Sequence, residues 1–552
     1  MDAIDKTLGQ ILDELAVNNA DEIAVDYDDR PFCRTWKELN AECDNLARGL
    51  LSLGVKKGDH VAVWATNIPE WLTMLFAVAK IGGVVVTVNT NYKVFELEYL
   101  LKQSDSKVLM MMKGFKDCSY VDIVNTLCPE LGKDGPGTVN SARFPRLKNV
   151  IFAGDDCPEN YMPFNQLFQL ADGVDEDTYK ALSSEVKPSD VVNIQYTSGT
   201  TGFPKGVMLT HYNILNNGKA IGDCMRFTNR DKLLITVPYF HCFGLVLGLM
   251  ACITHATGFV PVESYRPTTV MQAIHNKRCT ACHGVPTMFI AMLEHPDFKN
   301  YDFSSLRTGI MAGSPCPVKT MQQVVDEMNM KEITIVYGQT EASPGCTQTT
   351  TDDSLELRVS TVGRVLPGVE AKIVDENGNT LPAGVPGEFC ARGYNIMQGY
   401  YKMPAATAQA IDEDGWLHTG DIATVDENGY YKIVGRIKDM IIRGGENIYP
   451  KELEEFIYTH PAVSDVQVIG VPSKQYGEEV MAVIILKDGE TMTEQELKAF
   501  VKANMARHKV PKYVRFVDSF PMTASGKIQK FKMREEAIEY LNLHEDANIE
   551  TA

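Results

Sequence analysis

The chain has 552 residues, more than one hydrophobic core usually organises, so at least two domains are expected. At 44% hydrophobic and 23% charged residues, the composition is that of an ordinary globular protein rather than a disordered or fibrous one. The formal charge of −19 argues against nucleic acid or an anionic membrane surface as partner, since either would repel the chain at long range.

The first sixteen residues, MDAIDKTLGQILDELA, are acidic and amphipathic and lack the basic and apolar regions of a signal peptide. The longest apolar stretches, Trp71 to Val88 and Phe243 to Ile253, are interrupted by Lys80 and Gly82-Gly83 or are too short to span a bilayer, so no integral membrane segment is expected. Thirteen cysteines, an odd number in mostly apolar settings, predict reduced thiols and a cytoplasmic protein. Residues His60 to Ala65 read as a strand, Pro69 to Ile81 as a helix with proline in its first turn, and Val84 to Val88 as a second strand. A helix at Phe95 to Gln103 and a strand at Lys107 to Met112 follow. This βαβαβ rhythm predicts a parallel, helix-flanked sheet, with ligands beyond the carboxyl ends of its strands. Cys128 to Pro188, richer in Pro, Gly and Asp, reads as a connecting excursion.

An apolar run, Val191 to Tyr196, then ends in the loop Thr197-Ser198-Gly199-Thr200-Thr201-Gly202-Phe203-Pro204-Lys205-Gly206. Glycines let backbone N–H groups turn inward as an anion nest, the hydroxyls add donors, and Lys205 adds charge. Polyphosphate is the guest such a loop suits. A flexible linker would also be Gly/Thr-rich, but a linker is not clamped between two apolar runs as this one is, the second being Val207 to Leu209. The nucleoside-triphosphatase order, glycine, four residues, then Gly-Lys-Ser/Thr, fails here, because Pro204 precedes the lysine and Gly206 follows it.

Thr210 is placed to cap a helix, and a strand at Lys232 to Val237 runs into Pro238-Tyr239-Phe240-His241-Cys242-Phe243-Gly244. Cys279-Thr-Ala-Cys282-His283 matches the spacing of covalent haem attachment. It continues into an apparent strand and turn, and haem attachment of that kind belongs to exported chains, so buried thiols are the favoured reading. Strands near Thr308 to Met311 and Ile333 to Val336 end in small-residue turns, Ala312-Gly313-Ser314-Pro315 and Tyr337-Gly338-Gln339-Thr340-Glu341. A β-rich stretch at about 361–434 carries turn signals at Asn377-Gly378, Asp414-Gly415 and Asn428-Gly429, and holds His418-Thr419-Gly420-Asp421. Beyond Gly435-Arg436-Ile437-Lys438-Asp439 the composition changes. Helices from Pro450 to Thr459 and Glu494 to His508, with strands Val466 to Val471 and Val480 to Leu486, predict a small α+β domain. It closes on Pro521-Met-Thr-Ala-Ser-Gly526-Lys527.

The phosphate loop, and these motifs in this order from about Asn40 to Lys530, resemble the adenylate-forming superfamily of acyl-CoA synthetases, luciferases and peptide-synthetase adenylation domains. The resemblance implies an α/β fold: a large N-terminal domain (1–436) of helix-flanked, mostly parallel sheets with a β-rich subdomain, and a mobile C-terminal lid (437–552). It implies ATP, Mg²⁺ and coenzyme A, and a carboxylic acid joined to CoA through an acyl adenylate. It assigns Thr197, Ser198, Gly199, Thr200, Thr201, Gly202 and Lys205 to phosphate, and Gly313, Ser314, Pro315, Tyr337, Gly338 and Gln339 to the adenine side. Thr340 contacts phosphate, Glu341 holds Mg²⁺, and Asp421 and Arg436 take the ribose. Lys527 is the catalytic lysine, Lys438 the hinge, and Gly444, Gly445 and Glu446 line the pantetheine tunnel. His241 gates an acyl pocket bounded by Phe240, Val285, Thr287, Met311 and Gly338. The substrate so implied is a medium-chain fatty acid, with an aryl acid of the benzoate or coumarate type as second reading. An amino-acid adenylation domain ranks lower, because no aspartate stands in the aromatic turn and no carrier site follows Lys530. Homo-oligomerisation is left open by the sequence.

Overall fold

The computed structural model describes residues 2–197, 204–313, 316, 318–443, 446–473, 476–505, 509–523 and 528–543. The chain divides into two compact units, one formed by Met1–Ala371 with Ala391–Leu417, the other by Lys372–Cys390 with His418–Ala552.

The first unit holds two large sheets. The eight-stranded sheet runs in the order Gly399–Tyr400, Lys205–Thr210, Val191–Thr197, Val84–Thr87, His60–Trp64, Val108–Met111, Asn149–Phe152, Met162–Pro163. Pairing is parallel from Val191–Thr197 to the far edge, as the βαβαβ rhythm predicts. The central strands form because they are short apolar runs with both faces covered, as at Val84–Thr87, where every residue is buried. Pro69 starts the crossover helix Pro69–Lys80, where its missing N–H costs nothing. That helix ends on the buried Lys80, whose ammonium lies 2.5 Å from Asp13 and 2.7 Å from Asp44, so the cation is paired twice rather than stranded. The stretch Cys128 to Pro188 proves to be more than a connection. It supplies the sheet with two further parallel strands, too short to stand out among the prolines and glycines around them.

The seven-stranded sheet runs Glu332–Thr334, Thr308–Met311, Ala281–Gly284, Lys232–Ile235, Gly258–Pro261, Ile23–Asp26, Cys33–Thr35, parallel except for the last pair. The run expected as one strand over Ile333 to Val336 is broken at Ile335. Glu332–Thr334 closes the large sheet, while Val336–Gly338 leaves it for a three-stranded sheet with Gly345–Gln348 and Arg364–Val365. Tyr337 and Gly338 therefore sit in a strand, not a turn. Cys279, Cys282 and His283 are fully buried core residues. The His283 ring accepts the Ile310 N–H at Nδ1 (3.2 Å) and bonds the Leu247 carbonyl at Nε2 (2.9 Å), and burial lowers its pKa to about 4.

The second unit has a four-stranded sheet, Val369–Val374, Gly387–Gly393, Leu417–Val425, Tyr431–Arg436. Its long hairpin, Val463–Ser473 with Gly477–Leu486, pairs through the outer edge of Gly477–Leu486 with Ile441–Arg443, itself paired to Glu446–Ile448, and further along the same edge with Tyr513–Phe516 in parallel. Helices Pro450–Tyr458, Glu494–Asn504 and Lys530–Leu541 complete it. Among the described residues no helix is long and apolar enough to cross a membrane, and all thirteen cysteines are free thiols.

Candidate active site

The carboxyl ends of the parallel strands set the site. In the eight-stranded sheet, Val191–Thr197 is parallel to Val84–Thr87, so its last residue, Thr197, emerges where the neighbouring strands also end. The chain returns antiparallel with Lys205 opposite Thr197. Ser198, Gly199, Thr200, Thr201 and Gly202 lie outside the described residues. Tyr99 donates to the Pro204 carbonyl at 3.0 Å, fixing the returning arm.

In the seven-stranded sheet, the strands ending at Ile235, Gly284, Met311 and Thr334 deliver the aromatic turn, Val285, Ala312-Gly313 and the Tyr337 segment to one edge. Gly313 has φ +92°, a left-handed conformation, and a Cβ there would stand 3.2 Å from Val285 Cγ1. Phe240, Val285 and Met311 are buried, and Met311 packs with Leu234, Phe289 and Ile335. Thr287 and Gly338 are exposed. Gly338 must be glycine, because a Cβ would fall 1.8 Å from the Pro344 carbonyl oxygen. Ser314 and Pro315 lie outside the described residues.

One buried amide joins the two edges. Asn67, just after the strand His60–Trp64, donates to the Val237 carbonyl (3.0 Å) and accepts the Tyr239 N–H (2.8 Å), both in the segment entering the aromatic turn. A chain of side chains then crosses from the edge of the eight-stranded sheet to that of the seven-stranded sheet. The Lys205 ammonium lies 4.3 Å from the centre of the Tyr400 ring, and the Tyr400 hydroxyl donates to Glu341 Oε1 at 2.8 Å. Glu341 sits on the short helical turn Thr340–Ala342, whose Thr340 hydroxyl lies 3.6 Å from Cys242 Sγ. Beside it, His241 accepts the Phe243 N–H at Nδ1 (3.1 Å), so the neutral ring carries its proton on Nε2. The following run, Phe243–Met250, is a buried π-helix, a winding rare outside functional regions.

Sequence reasoning singled out Lys205, Thr340, Glu341 and His241 but missed Tyr400 and Asn67. The Gly399-Tyr400-Tyr401 triplet gave no signal of its own. Asn67 bonds to residues far along the chain.

In the second unit, Asp421 is buried and accepts Arg436 Nε at 2.9 Å, while Arg436 is exposed. Glu388 clasps the turn before it: Oε1 accepts the Gly420 N–H (2.9 Å) and Oε2 meets His418 Nδ1 (2.8 Å). Cys390 Sγ is 3.5 Å from the same nitrogen. These three side chains are of metal-ligating types, but both carboxylate oxygens and the ring nitrogen are already committed to this clasp. Lys438 is exposed on the turn Ile437–Asp439. Gly444, Gly445 and Lys527 lie outside the described residues, as does the side chain of Glu446, whose backbone is in the strand Glu446–Ile448.

Glu341 suits a hard divalent cation. Among the described residues only Oε1 takes a hydrogen bond, leaving Oε2 and the adjacent Thr340 hydroxyl as oxygen donors, the type Mg²⁺ prefers.

Residues 12–401 match the family of AMP-binding enzymes, and residues 452–527 match the AMP-binding enzyme C-terminal domain. The chain is 52% identical over 541 residues to YngI of Bacillus subtilis (strain 168), which carries an acyl-CoA synthetase name, covering 98% of each. It is 42% identical over 549 residues to the mitochondrial medium-chain acyl-CoA ligase ACSF2 of Bos taurus, covering 98% of this chain and 88% of the relative. Its fold matches the crystal structure of the anthranilate CoA ligase AuaEII in complex with anthranoyl-AMP, with TM-score 0.85, 26% identity and 98% coverage of both chains.

The chain belongs to the AMP-binding enzyme family, the adenylate-forming fold expected from its motifs. Within that family it is an AMP-forming acid–thiol ligase, an acyl-CoA synthetase that uses ATP, Mg²⁺ and coenzyme A.

Proposed function

We propose that this acyl-CoA synthetase acts on a medium-chain fatty acid, with the 42% identity to medium-chain ligase ACSF2 as support. The likeness to the anthranilate ligase keeps an aryl acid as second reading, at lower identity. A carboxylate is a poor electrophile, because oxide does not leave. Attack of its oxygen on the α-phosphorus of ATP expels pyrophosphate and gives an acyl adenylate. A CoA thiolate then attacks the carbonyl carbon and expels AMP.

The observation that supports the reading is the contact chain Lys205, Tyr400, Glu341, Thr340, Cys242, His241, a run of neighbouring side chains that includes a cation, a carboxylate and an imidazole. In this reading Thr197, the loop Ser198 to Gly202 and Lys205 hold the departing pyrophosphate, acting by positioning and charge. Thr340 contacts phosphate and Glu341 holds Mg²⁺, which neutralises phosphate oxygens when bound. Tyr337, Gly338 and Gln339, with Gly313, Ser314 and Pro315, receive the adenine, and Asp421 and Arg436 the ribose. His241 Nε2–H meets the carboxylate at the mouth of an apolar pocket formed by Phe240, Val285 and Met311, with Thr287 and Gly338 at its rim. Lys527 serves adenylation, while Gly444, Gly445 and Glu446 serve thioester formation and Lys438 is the hinge that alternates them, with the lid reading of 437–552. We place the enzyme in the cytoplasm on the strength of its thirteen free thiols, with no nucleic-acid partner given its charge of −19.

Two measurements test this. Acids from acetate to palmitate, with benzoate and coumarate, are assayed for ATP- and CoA-dependent pyrophosphate release. A maximum at intermediate chain length is expected, and a maximum at an aryl acid overturns the substrate assignment. Lys527→Ala is expected to abolish acyl-adenylate formation yet spare thioester formation from supplied acyl adenylate, and Gly445→Trp to do the reverse. Equal loss of both steps in either variant refutes the division of labour.

A further inference from the structure

Tyr400 lies outside every motif that pointed to this family, yet it touches both charged groups of the site. We propose that Tyr400 is a positioning residue that keeps Lys205 and Glu341 apart and aimed at the substrate, its ring facing the cation and its hydroxyl bonded to the carboxylate. The inference rests on the reading of Glu341 as the metal-binding carboxylate and extends it.

The backbone around Tyr400 is pinned from several directions. Gly399–Tyr400 pairs antiparallel with Val207 and Met208, Gln398 donates to the Met208 carbonyl (3.0 Å), and Tyr401 donates to the Gly206 carbonyl (2.8 Å). The Tyr400 N–H itself donates to Thr407 Oγ1 at 2.9 Å. Met397 donates to the backbone carbonyl of Glu341 at 2.9 Å, so the same segment also holds the carboxylate's own turn. The side chain is 5% exposed. Burial first, and the Glu341 charge second, push the phenol pKa far above its ordinary value.

The neighbouring residue supplies the contrast. Tyr401 donates to Asp105 (3.0 Å) and has Lys402 over its ring at 5.3 Å, the same kinds of contact. There, however, Lys402 and Asp105 close into a direct ion pair at 2.6 Å, which neutralises both. Lys205 and Glu341 make no ion pair with any described residue, because the Tyr400 ring and hydroxyl stand between them. A purely packing tyrosine buries its ring and finds its hydroxyl any acceptor. This one takes the site's cation on its ring and the site's carboxylate on its hydroxyl.

The test uses the full-length enzyme with a non-hydrolysable ATP analogue, and reads Mn²⁺ binding by electron paramagnetic resonance and analogue binding without metal by calorimetry. Tyr400→Phe keeps the ring and loses the hydroxyl. It is expected to weaken Mn²⁺ binding about tenfold or more, the usual effect of losing a hydrogen bond to a metal-ligating carboxylate, with metal-free analogue affinity unchanged. Tyr400→Leu is expected to weaken both, as Lys205 turns to Glu341. If Tyr400→Phe binds Mn²⁺ as tightly as the native enzyme, or only lowers the melting temperature, the inference is overturned. Glu341→Gln separates the two levels. If it leaves Mn²⁺ affinity intact, the metal assignment falls and this inference with it; if it abolishes binding while Tyr400→Phe does not weaken it, only the role of Tyr400 falls.

Discussion

The two large sheets of the first unit share one plan, parallel strands releasing their chains at a carboxyl edge, yet the residues released are chemically opposed. The eight-stranded sheet ends in Thr197 and Lys205, half-buried polar groups beside Tyr400. In the seven-stranded sheet the strands Lys232–Ile235, Ala281–Gly284 and Thr308–Met311 lead to Phe240, Val285 and Met311, buried and apolar, with His241 beside them, while the edge strand Glu332–Thr334 leads on to the Tyr337 segment. Topology thus supplies strand ends of the kind where ligands bind, and in the proposed reading the first residues past each strand divide the work between phosphate and acid. The comparison predicts that the two edges can be damaged separately.

The largest effect is expected on the phosphate edge. In the proposed role of Lys205, Lys205→Met removes charge stabilisation of departing pyrophosphate and should lower acid-dependent pyrophosphate release by about 10²–10³-fold. The ranking of acids should stay the same, and a changed ranking would mean the edges are not chemically distinct. Next comes the link between them. Asn67→Leu leaves the buried Val237 carbonyl and Tyr239 N–H without their partner, at about 1–3 kcal/mol for each orphaned group. A lowered urea midpoint is expected, and an unchanged one would show that the sheets are held together elsewhere. The smallest effect is on the acyl edge. Val285→Phe should shift the kcat/KM ratio of short to long acids by about tenfold toward the short, the scale of a methylene or two in an apolar pocket. ATP affinity should not move, and a parallel loss of ATP affinity would tie Val285 to the nucleotide side.

Much of this arrangement was legible because its causes are local. Strands buried on both faces read as continuous apolar runs at Val61–Trp64 and Val84–Val86, Pro69 marks a helix start, and Thr210 forms the capping box its position suggested, with Asn213. The strand Asn149–Phe152 was hidden because four residues among prolines and glycines carry too little periodicity to register. The break at Ile335 was hidden because both of its flanks are apolar, so hydropathy does not mark where one sheet gives way to another. Tyr400 and Asn67 were illegible for a different reason. Their roles arise from partners distant in the chain, and no local pattern encodes such a pairing.

The break at Ile335 also bears on how such an enzyme can diversify. The strand Glu332–Thr334, which closes the large sheet beside Thr308–Met311, and the strand Val336–Gly338, which presents Tyr337, are successive in the chain but belong to separate sheets. In the proposed reading, substitutions at Met311 and Val285 that reshape the acyl side therefore need not tilt the Tyr337 ring proposed to receive the adenine. One nucleotide-handling half can in this way be kept while descendants explore new acids.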